Sequence, residues 1–86
     1  MYYVYILKNN KDKLYIGYTG NLRRRISEHN REGVYTTRRL GNNFRLVYYE
    51  AYRDQDDAKT RERSFKKSGS VYNGLVKRIK RSIKGA

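Results

Sequence analysis

Tyr2-Tyr3-Val4-Tyr5-Ile6-Leu7 and, beyond the polar stretch from Lys8 to Lys13, Leu14-Tyr15-Ile16-Gly17-Tyr18 decide the fold. Aromatic and β-branched residues dominate both runs, which predicts two strands joined as a hairpin. The first run is apolar on both of its alternating faces. A strand of that kind needs cover on both sides, so it belongs in the centre of a sheet.

Outward from the hairpin, Asn21 is a suitable N-cap for a helix from Leu22 to Arg31, and Gly33 stands just past its end. Val34 to Asn43 reads as a basic loop, and Phe44 to Tyr52 as a third strand. Asp54 caps a second helix to about Lys67, where Asp56 and Asp57 complement the positive end of the helix dipole. A last helix is predicted from Val71 to Ile83, because Tyr72, Leu75, Val76, Ile79 and Ile83 recur at helical spacing. The pattern is ββαβαα, an α+β fold with a small three-stranded antiparallel sheet flanked by helices. With no proline, repeat or low-complexity linker, residues 1–86 read as one domain.

Charge narrows the function. Lys and Arg number 21 against 8 Asp and Glu, a net charge of +13. Such a field selects a polyanion, and nucleic acid is the commonest one. Without cysteine there is no disulfide framework or thiolate metal site, and one histidine cannot build a histidine-rich zinc site. No apolar run approaches the roughly 18 residues of a membrane span. No membrane partner is expected, and the default compartment is the cytoplasm. The mean hydropathy is −1.07 and tyrosines number ten, more than so small a core requires. Some of these rings are therefore expected at a functional surface.

Two helices carry polar residues inside apolar stripes. Leu22, Arg25, Ile26 and His29 fall at i, i+3, i+4 and i+7 and share one face. Burying a guanidinium without a partner is costly, but it is tolerated where the charge faces a cleft and meets an anion. The alternative is that Arg25 reaches out at the rim and His29 is a satisfied, half-buried residue. In the second helix Ala58, Glu62 and Phe65 share the inward face. From Ala58 to Ala86 there are ten Lys or Arg and one acidic residue, Glu62. An isolated carboxylate in a phosphate-binding surface is useful if it holds a hard divalent cation. The alternative is an i, i+4 ion pair with Lys66. Tyr3, Tyr5 and Tyr15 could position or deprotonate an attacking water if neighbouring cations lowered the phenol pKa, and otherwise pack in the core.

Tyr3-Val4-Tyr5 followed by Tyr15-Ile16-Gly17 resembles the paired motif of the GIY-YIG nuclease superfamily. Tyr18 to Asn30 is similar to the family helix that carries an arginine and, four residues later, often a histidine. Leu46-Val47-Tyr48-Tyr49-Glu50, then Ala58 to Glu62 and Lys66-Lys67, resembles the remaining strand and the helix with the metal-ligating glutamate. The likeness covers nearly the whole chain and is nearest to short stand-alone members resembling the amino-terminal nuclease domain of the excinuclease. It implies Tyr5 and Tyr15 as positioning or general-base hydroxyls, Arg25 as phosphate clamp, His29 as auxiliary base or orienter, and Glu62 as ligand of one Mg²⁺ or Mn²⁺. Gly17 would allow a close approach.

The first motif has Tyr3 where the family has glycine, and the Asn-Pro segment that many members carry after the glutamate helix is missing. Asn73 is not assigned that role, and Tyr35 is a further candidate in the loop. Arg24, Arg38, Arg39, Lys66, Lys77, Arg78 and Arg81 are expected to contact the nucleic acid, with DNA favoured over RNA. The function implied is metal-dependent hydrolysis of DNA phosphodiester bonds, with branched or damaged DNA as the expected substrate. A protein partner could supply specificity. The rival is an inactive nucleic-acid-binding module of the same fold, although such a module has no need of Glu62 on an inward face.

Overall fold

The first strand, β1 (Tyr2–Lys8), lies between β2 (Leu14–Thr19) and β3 (Arg45–Tyr52), antiparallel to both. The computed structural model describes residues 1–31 and 44–86. Its remaining elements are helices α1 (Leu22–Arg31), α2 (Gln55–Lys67), α3 (Gly69–Arg78) and α4 (Lys80–Lys84). The expected three-stranded α+β architecture is therefore present. Among the described residues no helix is long and apolar enough to cross a membrane.

The central position of β1 follows from its two apolar faces. Val4 and Ile6 join Ala58, Phe65 and Leu75 in a core beneath α2 and α3. Tyr5 and Leu7 point to the opposite face and pack with Phe44, Tyr15, Leu22 and Ile26, on the side of α1. In the turn after β1, the buried Asn9 side chain accepts hydrogen bonds from the backbone N–H groups of Lys11 and Lys13, both at 2.9 Å. Asp12 there takes a positive φ of 62°.

The helix starts follow the expected capping chemistry. Asn21 Oδ1 accepts from the Arg24 N–H at 3.1 Å, and the Asp54 side chain accepts from that of Asp56. The C-terminal helix departs from the reading as a single element. It begins at Gly69, two residues earlier than expected, because Ser68 caps it and accepts from the Val71 N–H. It then breaks at Ile79, whose φ and ψ of −105° and 24° leave the helical region. Lys8 Nζ donates to the carbonyls of Ile83 and Ala86, at 2.9 and 3.4 Å, and ties the last turns to β1. The apolar spacing correctly marked the inward stripe, yet side-chain periodicity alone does not distinguish a bent helix from a straight one. Phe44, expected as the first residue of β3, lies just before it.

One polar network, absent from the sequence reading, joins β3 to α2. Glu50 projects from β3 on the Val4 face, with its side chain only 15% exposed. Its carboxylate accepts from Arg61 Nε at 2.9 Å and from a second guanidinium nitrogen at 3.2 Å. It also accepts from the Tyr48 and Tyr52 hydroxyls. Arg61 stacks over the Phe65 ring at 4.3 Å. Burial acts to raise the Glu50 pKa, but Arg61 and the two phenols outweigh it and hold the carboxyl below its ordinary range. The phenols move the other way: burial, then the bond to Glu50, pushes Tyr48 and Tyr52 up to about 12.

A carboxyl with a depressed folded pKa contributes stability above the unfolded value of about 4.3, and that increment is lost as pH falls through the folded value. Urea unfolding followed from about pH 7 to about pH 3 is expected to show this loss. Glu50→Gln should flatten the acid limb and lower neutral stability by about 1–3 kcal/mol. An unchanged acid limb in the variant would assign the loss to another group.

Candidate active site

The register opposes Tyr5 on β1 to Gly17 on β2. A Cβ on Gly17 would stand 2.6 Å from Tyr5 Cζ and closer still to its hydroxyl oxygen. Only a residue without a side chain lets the phenol lie across the backbone of this edge strand. Gly17 thus directs a buried hydroxyl toward the sheet edge.

Helix α1 supplies two partners from the stripe that looked anomalous in sequence. Arg25 is half-buried, its charge acts on the Tyr5 hydroxyl, and its Nη1 meets Glu28 Oε1 at 3.4 Å. Glu28 therefore helps orient the guanidinium. His29 is 1% exposed, and its Nε2 lies 3.3 Å from the Tyr5 hydroxyl. Its ring packs edge-on to Tyr15, with centroids 5.0 Å apart, and against Phe44 at 5.5 Å. Nδ1 is buried without a partner among the described residues. Asn30 holds Phe44 in place, accepting from its N–H at 2.6 Å and donating to its carbonyl at 3.0 Å. Neither Asn30 nor Phe44 carried a sequence signal for this clamp.

Helix α2 brings Glu62. The helix packs across all three strands, with Ala58 and Phe65 buried on the inward face. Glu62 shares that face, its side chain 21% exposed, and its negative charge acts on the Tyr5 hydroxyl together with Arg25 and Tyr15. The i, i+4 alternative is also real, since Lys66 Nζ lies 3.4 Å from Glu62 Oε2. That lysine is 57% exposed, so the contact adds only a few tenths of a kcal/mol. Among the described residues no three His, Asp or Glu side chains gather as a metal cage.

Burial raises the Tyr5 pKa, and the nearby Arg25 lowers it but does not prevail. The His29 pKa is lowered, first by burial and then by Arg25, which keeps the imidazole neutral.

The GIY-YIG catalytic domain family matches residues 1–75 of this chain. The chain belongs to the GIY-YIG family. Domains of this family are generally nucleases. Similar proteins include a UPF0213 protein of Clostridium perfringens, 44% identical over 68 residues that make up 78% of this chain and 72% of the relative. A UPF0213 protein of Pediococcus acidilactici is 38% identical, covering 77% and 69%. One of Autographa californica nuclear polyhedrosis virus is 40% identical, covering 80% and 67%. No solved structure matches the chain. Of the expected GIY-YIG positions, Tyr5, Tyr15 and His29 touch one another, and the charges of Arg25 and Glu62 act on the Tyr5 hydroxyl. Asn73 is exposed on α3, and Tyr35, Arg38 and Arg39 lie outside the described residues.

His29 is the one histidine in the chain, so its imidazole resonance reports on this site alone. It is expected to titrate below the usual 6.5, so the fold loses stability as pH falls from about 6.5 through the lower folded value. Arg25→Ala should move the midpoint upward by removing a repulsive charge. Gly17→Ala should shift the resonance of the neutral ring by displacing Tyr5. A midpoint unaffected by Arg25→Ala would separate the two side chains.

Proposed function

We propose that the chain is a divalent-metal-dependent endonuclease that hydrolyses DNA phosphodiester bonds, with branched or damaged DNA as substrate. The reading is carried by one observation: the buried Tyr5 hydroxyl meets His29 Nε2 at 3.3 Å on the same helix that carries Arg25, whose guanidinium is paired with Glu28. A phosphodiester needs a cation to bind its oxygens and an oriented water to attack phosphorus. In this reading Arg25 grips the non-bridging oxygens through its planar fork. Glu28 keeps that fork in place. Tyr5, as a neutral phenol, orients the attacking water or a phosphate oxygen by hydrogen bonding, and Tyr15 lines the same face. His29 is buried and acts on the substrate only through Tyr5, by fixing the direction of its hydroxyl.

The donor set at Glu62 fits Mg²⁺ or Mn²⁺. A single hard, part-buried carboxylate, with waters and phosphate oxygens completing the shell, suits an ion that keeps much of its hydration. When bound, such an ion would neutralise charge developing on the phosphate. Lys66 is exposed enough to leave Glu62 and turn to a phosphate instead.

The remaining basic positions supply attraction along the backbone. Arg24, Lys77, Arg78 and Arg81 are exposed, and Lys80 and Lys84 extend the same helical surface. None belongs to the apolar stripe of α3 and α4, so their charges are free to meet phosphates.

Glu62→Ala is expected to abolish cleavage while leaving DNA affinity equal or higher, because removing a carboxylate from a basic surface reduces repulsion toward phosphate. Turnover and affinity measured on the same variant check this, and undiminished turnover would remove Glu62 from the mechanism. Replacing Lys77, Arg78 and Arg81 with Gln should flatten the slope of log affinity against log salt by roughly one unit per lost phosphate contact. The rate at saturating DNA should barely change. Identical slopes would show that this face does not hold DNA.

A further inference from the structure

Among the described residues, the α1 face of the sheet is only partly covered. Beside the Tyr5 cluster, Tyr3, Tyr49 and Leu46 line a cavity of about 480 Å³, closed on the helix side by Leu22, Arg23 and Ile26. Tyr49 is 51% exposed and Leu46 37%. Tyr3 and Tyr49 meet edge to face, with ring centroids 5.8 Å apart. Large aromatic surface left in water is unusual in a chain with so little apolar material, and the mechanism above makes no use of it.

We propose that this cavity receives an unpaired nucleobase of the nucleic acid being cut. The inference rests on the nuclease reading and adds the form of substrate. Three observations support it. The lining is aromatic and aliphatic, with one cation, Arg23, at its wall, which suits a flat ring attached to a phosphate. The net charge of +13 favours a polyanion and opposes a second copy of the chain as the occupant. The location also fits. Leu22 and Ile26 pack with Tyr5 on one side and line the cavity on the other. Tyr3 and Tyr5 are two residues apart on one strand face, roughly 7 Å, a spacing of about two stacked nucleotides.

A paired base hides both ring faces in the duplex stack and cannot enter such a cavity. A base at a flap, a branch point or a single-stranded end can. The cavity would therefore select irregular DNA over plain duplex.

Tyr49 is exposed on an edge strand, so its replacement leaves the core intact. The probes are a short single-stranded oligonucleotide with 2-aminopurine at one position, the same strand with an abasic site there, and a plain duplex. Tyr49→Ala should weaken binding of the 2-aminopurine strand about tenfold, the scale of one lost stacking contact. Its salt slope should not change, because no ion pair is removed. Tyr49→Phe keeps the ring and should bind as the wild type does. The abasic strand and the plain duplex should not distinguish Tyr49→Ala from wild type. Equal affinities of wild type and Tyr49→Ala for the 2-aminopurine strand would overturn the proposal while leaving the nuclease reading intact. A change of oligomeric state in Tyr49→Ala would overturn it by making the face a contact between copies. Failure of the wild type to bind any of the probes would overturn both readings.

Discussion

The seating of the Tyr5 phenol across Gly17 is the constraint on which the site depends. It needs a central strand to bury the ring, a glycine on the neighbouring strand to let the hydroxyl pass, and a helix to receive it. His29 bonds this hydroxyl, and the charge of Arg25 acts on it. A shift of the ring would strand the imidazole. Burial keeps the phenol neutral, so its contribution is direction and hydrogen bonding rather than charge.

A second fixture sets the opposite side. Glu50 and Arg61 lock α2 to β3, and Arg61 immediately precedes Glu62 in the chain. The pairing that fixes α2 on β3 therefore also fixes the stretch of helix that carries Glu62, and it is the most buried ion pair of the described residues. A pair of this kind adds orientation more dependably than net stability, because desolvation offsets much of its attraction.

Much of this arrangement was legible in the sequence. The two apolar faces of Tyr2 to Leu7 revealed a central strand, and Asn21 and Asp54 marked helix starts because capping is local chemistry. Arg25, His29 and Glu62 stood out as polar residues on apolar stripes, which is where a functional demand overrides burial. The Glu50 network was not legible, since an alternating strand residue gives no sign of a partner eleven positions away. Nor was the Asn30 clamp on Phe44, which depends on how two elements meet. The break at Ile79 was hidden because an apolar stripe continues through a bend.

Tyr5→Phe isolates the hydroxyl, since the ring and its packing remain while the link among Arg25, His29 and the substrate is cut. The decisive measurement is the single-turnover rate of DNA cleavage by this variant at saturating substrate, with affinity and unfolding measured on the same preparation. The expected result is a folded protein with near wild-type affinity and a rate lowered about a hundredfold or more. A rate equal to wild type in a folded, DNA-bound variant would contradict the central role of this hydroxyl.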